Sequence, residues 1–122
     1  MSSYKDLDIY NMSLELFYQV HSVSLKLPKY ELYELGSQLR RSSDSVVTNI
    51  VEGYGRKAYK AEFVRFLTFS WSSCLETVNH LEKIEYLYNN VIDDIKNLIE
   101  RYKGLSAKIF SFIKYVEQNW KT

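Results

Sequence analysis

The sequence predicts an all-α protein, an antiparallel up-down-up-down four-helix bundle of left-handed twist. Three observations carry that prediction. Apolar residues recur at spacings of three and four in four successive segments, the period of one helix face. The breaks between segments are short, so consecutive helices must pack antiparallel, with the ridges of one in the grooves of the next. One Pro and four Gly in 122 residues are too few for the many tight turns of a β-sandwich or barrel.

In the first segment Ile9, Met12, Leu16, Val20, Val23 and Leu27 follow at intervals of 3, 4, 4, 3 and 4. The stripe is expected to end near Pro28, because the residue before a proline is pushed out of the α region. The second segment places Leu32, Leu35, Leu39, Val46 and Ile50 on one face, with small Ser42 and Ser43 between them. Gly53 is expected as its C-terminal cap, since glycine enters the left-handed conformation cheaply.

The third segment runs from about Tyr59 to Tyr88, with Phe63, Leu67, Ser70, Cys74, Val78, Leu81, Ile84 and Tyr88 inward. Asn89-Asn90 supplies the next break, as Asn tolerates turns. The fourth alternates spacings of 4 and 3 through Val91, Ile95, Leu98, Tyr102, Leu105, Ile109, Phe112 and Val116. Gly104 inside it costs about 1 kcal/mol relative to Ala, which the periodicity outweighs. Helices of about 20 to 28 residues span roughly 30–40 Å at 1.5 Å per residue. Together they use residues 1–122 as one domain with one core.

Composition narrows the function classes. A hydrophobic fraction of 46% excludes wholesale disorder. The 16 basic and 15 acidic residues leave a net charge of +1, so no global field draws the protein to nucleic acid or membrane. A single cysteine, Cys74, excludes an internal disulfide and a cysteine-rich zinc site and favours a reducing compartment. The opening MSSYKDLDIY lacks the regions of a signal peptide, and no run of 18 apolar residues is present to span a bilayer. A cytoplasmic location without membrane partners is therefore expected.

The unusual number is 11 Tyr, beside six Phe and two Trp. On the third helix the apolar arc covers roughly half the circumference, with Val64, Trp71 and Leu75 beside the main seam. The first helix carries Tyr10, Phe17 and Tyr18 next to its inward positions. Singly, such rings pack at a bundle rim. Two over-wide faces in so small a domain predict a subunit interface, hence a homo-oligomer.

Chemical constellations are absent. A di-iron bundle needs Glu-x-x-His on two helices. Here His80 follows Glu76 by four residues and His21 has no acid three before it, so both histidines are expected at the surface or rim. Cys74 lies on the inward stripe, where a thiol acts as a small apolar group. Ser70, Ser72 and Ser73 have no histidine placed as a base. Gly53-Tyr54-Gly55 lacks the Gly-Lys-Ser/Thr of a phosphate loop. No catalytic residue, cofactor or metal is expected, and the protein is not expected to be an enzyme.

The cations are unevenly placed. Arg40, Arg41, Arg56, Lys57, Lys60 and Arg65 cluster from the middle of the second helix to just beyond the following turn. Lys96, Lys103, Lys114 and Lys121 line the fourth helix opposite its apolar stripe. Such lines can follow a phosphate backbone of RNA or DNA. Alternatively they form a solvated face diluted by Glu100 and Glu117, with the arginines paired to carboxylates across helices or subunits.

The stretch SQLRRSSDSVVTNIVEGYGR (37–56), followed by EFVRFL (62–67), resembles the four-helix-bundle family named after proteins encoded in 23S rRNA intervening sequences. The opening YKDLDIYNMSLEL, Leu27-Pro28 and SSCLETVNHLE fit as well, so the resemblance runs from about Tyr4 to Tyr115. It implies a homopentamer shaped as a short barrel. A related branch, the accessory proteins of diversity-generating retroelements, implies association with nucleic acid or with a protein such as a reverse transcriptase. Its basic composition is not matched here. The motif positions are Gln38, Arg40, Arg41, Asn49, Glu52, Gly53, Gly55 and Arg56, then Phe63, Arg65 and Phe66. The family often has Pro where this chain has Val47, and Trp where it has Tyr10. The motif reads as architecture first: Arg40, Arg41 or Arg56 pairing with Glu52, and Asn49 bonding to the turn that follows.

Overall fold

A computed structural model describes residues 3–89 and 93–121. Its four long helices are α1 (Asp8–Ser24), α2 (Leu35–Gly55), α3 (Lys60–Tyr88) and α4 (Ile95–Asn119), with 3-10 turns at Tyr4–Asp6 and Lys29–Glu31. The described residues include no strand. The expected Val91 and the second half of the Asn89-Asn90 break lie outside them.

The approach to α1 is built by a reciprocal cap. The Ser3 hydroxyl accepts from the Lys5 amide at 3.1 Å, while the Asp6 carboxylate accepts from the Ser3 amide at 3.2 Å. Asn11 then donates to the carbonyls of Lys5 and Leu7, at 2.8 and 3.1 Å, tying turn to helix. After α1 the chain turns at Pro28 into the second 3-10 turn. Leu32, expected inside the second helix, closes that turn instead. Arg40 reaches back from α2 to hold the corner, donating to the Leu32 carbonyl at 2.6 Å and the Ser24 hydroxyl at 3.0 Å. Gly36 leaves room for it, since a Cβ there would lie 2.9 Å from the Glu31 carbonyl oxygen and 3.1 Å from Arg40 Nη1.

Contacts run in opposite order along α2–α3 and α3–α4, and α1 joins in the same sense. Ser24 lies against Arg40 and Tyr4 near Tyr54 on one side, while Gln19 lies against Arg101 and Ile9 shares a groove with Phe112 on the other. Ser42 meets Thr77, Ser45 meets Ser73 and Val46 meets Ser70. Likewise Cys74 meets Tyr102, Trp71 meets Phe110 and Phe63 meets Phe112. Each helix therefore packs antiparallel to its neighbours. The pairs in contact are α1 with α2, α2 with α3, α3 with α4 and α4 with α1, and among the described residues no diagonal pair approaches. This is a square four-helix bundle.

The expected stripes are the core. Leu16, Val20, Leu39, Val46, Ile50, Leu67, Cys74, Leu81, Ile84, Tyr102, Leu105 and Ile109 are fully buried. Helix α4 departs from the expected pattern near both ends: Ile99 in its second turn and Ile113 near its end are buried too, while Phe112 is only half-buried. Gly53 is not the cap of α2. The helix continues to Gly55, no glycine has positive φ, and Arg56 closes the end in an ordinary conformation. Gly53 is buried because α3 passes close by. A Cβ there would lie 3.2 Å from Phe66 Cβ and 3.4 Å from the Phe63 carbonyl oxygen. With Val47 where the family often has Pro, α2 runs uninterrupted.

Candidate interaction face on helices two and three

Beside its buried stripe, α2 carries a second one. Gln38, Arg41, Ser45, Asn49, Glu52 and Arg56 follow at intervals of 3, 4, 4, 3 and 4, turned outward on the α3 side. Helix α3 answers with Glu62, Arg65 or Phe66, Phe69, Ser73, Glu76 and His80 at the same periodicity. The two stripes meet along one outer seam. The Ser45 and Ser73 hydroxyls are 2.8 Å apart, and Arg56 reaches Glu62 at 3.2 Å.

Small side chains make this seam close. The Ser70 hydroxyl donates to the Val46 carbonyl at 2.6 Å. Thr77 lies 2.9 Å from the Ser42 hydroxyl and 2.8 Å from the Ser73 carbonyl. Serine and threonine here satisfy one another instead of water, so their burial carries no orphaned group. Asn49, expected to bond forward to the following turn, donates back to the Ser45 carbonyl and hydroxyl, both at 2.9 Å.

At the end nearest the α2–α3 turn the seam becomes aromatic and charged. The guanidinium of Arg56 stands 4.7 Å above the Phe66 ring, and that of Arg65 stands 5.6 Å from Phe66 and 5.2 Å from Phe69. The two rings meet edge to face at 5.5 Å. Glu62 lies between the arginines, and Glu52 pairs with Arg56 at 3.7 Å, the partner named among the alternatives for it. At the opposite end His80 is buried, not at the rim as expected, with Nε2 at 3.3 Å from the Glu76 carboxylate. His21 is exposed.

The remaining candidate residues scatter over the bundle. Arg40 spends its guanidinium inside the α1–α2 corner. Lys57 donates to the Tyr54 hydroxyl at 2.9 Å and stacks over its ring, while its carbonyl accepts from Trp120 Nε1 at 2.8 Å. Lys60 opens α3. On α4, Lys103 pairs with Glu100 at 3.9 Å and Lys114 with Glu117 at 3.3 Å, whereas Lys96 and Lys121 are exposed. Of the aromatic and apolar residues expected at a subunit contact, Tyr10, Val64 and Trp71 pack against the core. Phe17 is half-buried, and Tyr18 and Leu75 are exposed. Gly55 is exposed at the end of α2.

Three groups away from the outer seam titrate high. Burial pushes the Cys74 thiol up to about 12, and its Sγ lies 3.3 Å from the Tyr102 carbonyl oxygen. Burial raises the Tyr102 phenol as well. The Tyr88 phenol is raised chiefly by its hydrogen bond to the Glu31 carboxylate, and secondly by Tyr30. None of these groups lines the outer seam. Among the described residues no three His, Cys, Asp or Glu side chains gather as metal ligands would, and no helix is long and apolar enough to cross a membrane.

The sequence pattern that defines the 23S rRNA-intervening sequence proteins matches residues 5–111. This chain belongs to that family. The match spans the four helices almost entirely, from the capped turn before α1 to the last turns of α4. Comparison with curated proteins returns no match. Within this 23S rRNA-intervening sequence protein, the recognised motif divides in two. Arg40, Gly53 and Phe63 face inward and fix packing, while Gln38, Arg41, Asn49, Glu52, Arg56, Arg65 and Phe66 share the outer α2–α3 seam. Apolar periodicity alone misses that second group, because the signal is a polar stripe running parallel to the apolar one.

Proposed function

We propose that the protein is a non-enzymatic scaffold that works as a homo-oligomer, pentameric as the family resemblance implies, with the outer α2–α3 seam as a contact surface. One observation carries the reading. Half-buried Phe66 and exposed Phe69 lie under two arginines whose charge is already matched by Glu52 and Glu62. A phosphate-tracking surface presents unmatched cations. Aromatic rings with Arg and a balanced rim are instead the composition of a protein contact. Light scattering on the purified chain across the micromolar range tests this. A mass several times 14.5 kDa is expected, and a single-chain mass throughout contradicts the proposal.

A second reading, contact with RNA or DNA in the cytoplasm, is favoured by Arg41, Lys96 and Lys121. All three are exposed and carry no ion pair among the described residues. In a ring of copies such isolated cations repeat and add. Phosphate contact predicts an affinity that falls steeply from low to moderate salt. Absence of binding to structured RNA and duplex DNA at low salt removes this reading and leaves the protein-only scaffold.

A further inference from the structure

We propose that the copies join head to tail, the Arg65–Phe69 edge of one entering the groove between α1 and α4 of the next. This rests on the assembly reading above and adds which two surfaces meet. The groove measures about 630 Å³, lies between residues 6–9 and 107–112, and is walled by buried Leu7 and Ile9 and half-buried Phe112. Ala107 and Ser111, both short and exposed, leave open the space that longer side chains would fill.

Charge matches across the pair. Asp8 lines the groove and suits the exposed Arg65 and Arg56, while Lys108 on the other wall suits Glu52 or Glu62. Phe69, 42% exposed, is the apolar group to be covered. Position matches as well. Because only neighbouring helices touch, the α1–α4 groove lies on the side of the bundle opposite the α2–α3 seam. Both lie at the same end, since Trp120 beyond α4 bonds to the Lys57 carbonyl and the ring of Tyr4, before α1, lies 6.3 Å from that of Tyr54. Two unlike surfaces at one level make a head-to-tail contact that repeats from copy to copy, and the repeat closes into a ring when each contact also turns the next copy by a fixed fraction of a circle.

Two exposed substitutions separate this pairing from assembly in general. Ser111→Arg blocks the groove and leaves the edge, while Phe69→Glu spoils the edge and leaves the groove. If Phe69→Glu does not fold, judged by helical circular dichroism, Arg65→Glu takes its place. Wild type is expected to be oligomeric by light scattering, and each variant alone is expected to fall to the single-chain mass of 14.5 kDa. An equimolar mixture is expected to form a species of twice that mass and nothing larger, because one intact groove and one intact edge remain. A wild-type oligomer whose variants keep its mass, or whose mixture yields no dimer, overturns the pairing while assembly stands. A monomeric wild type overturns both.

Discussion

The α2–α3 seam and the α1–α4 seam lie on opposite sides of the same bundle and are built differently. Across the first, Gly53 admits Phe63 and Phe66, and Ser42, Ser45, Ser70, Ser73 and Thr77 bond across the contact. Across the second, a groove of about 630 Å³ opens at one end and a smaller one of about 340 Å³, lined by Tyr18, Lys26 and Leu98 among others, opens at the other. Between them Arg101 spans the gap, reaching Gln19 at 2.9 Å and Glu15 at 3.2 Å. Small residues bring backbones together, and the ring of four helices then leaves its slack on the far side. The difference teaches that one seam supplies stability and the other supplies surface.

Adding bulk breaks the two seams unequally. Gly53→Leu forces a side chain into the Phe63 and Phe66 contact and is expected to cost about 3 kcal/mol in urea unfolding, at the upper end for overpacking. Ala107→Leu, an enlargement one carbon smaller in the open seam, is expected to stay within about 0.5 kcal/mol. Equal losses would mean that the seams do not differ.

Removing one hydroxyl tests the polar lacing. Thr77→Val keeps shape but strips a buried group from Ser42 and Ser73, with an expected loss of about 1–2 kcal/mol by thermal unfolding. The core behind the closed seam has a pH signature of its own. The Cys74 thiol titrates at about 12 folded against 9.0 unperturbed, so the folded state disfavours the thiolate. Its contribution is full below pH 9 and is lost as pH rises toward 12, about 1 kcal/mol by pH 10. Cys74→Ala should flatten that part of the stability–pH curve, and the native thiol should resist alkylation at neutral pH. A small effect is expected in the open seam too: Arg101→Ala removes the bridge to Glu15 and Gln19 and is expected to cost under about 1 kcal/mol, less at high salt.

The sequence made the helices legible because burial repeats with the helical period, and α3 runs Lys60–Tyr88 where Tyr59 to Tyr88 was expected. What escaped it depends on distance between chain-remote atoms. Gly53 reads as a cap by residue type, and only the passage of Phe66 at 3.2 Å from its missing Cβ makes it a packing glycine. Arg40 reads as a surface cation until the Leu32 carbonyl is seen to accept a hydrogen bond from it. His80 reads as a rim residue because polar, yet it is buried beside Glu76. Of the candidate site, the clustering of Arg56 and Arg65 was visible in the sequence. The neutralising Glu62 between them and the rings beneath them needed three dimensions.

Native-state hydrogen exchange, run on the single-chain species at high dilution, compares the seams most directly. Helix α1 is the shortest of the four and borders the open side, so its inner amides, at Leu16 and Val20, are expected to exchange through a partial opening. Those of Ile50, Leu67 and Cys74, behind the closed seam, should exchange roughly an order of magnitude more slowly or worse, only on global unfolding. Equal protection in α1 and in the α2–α3 pair would contradict the account.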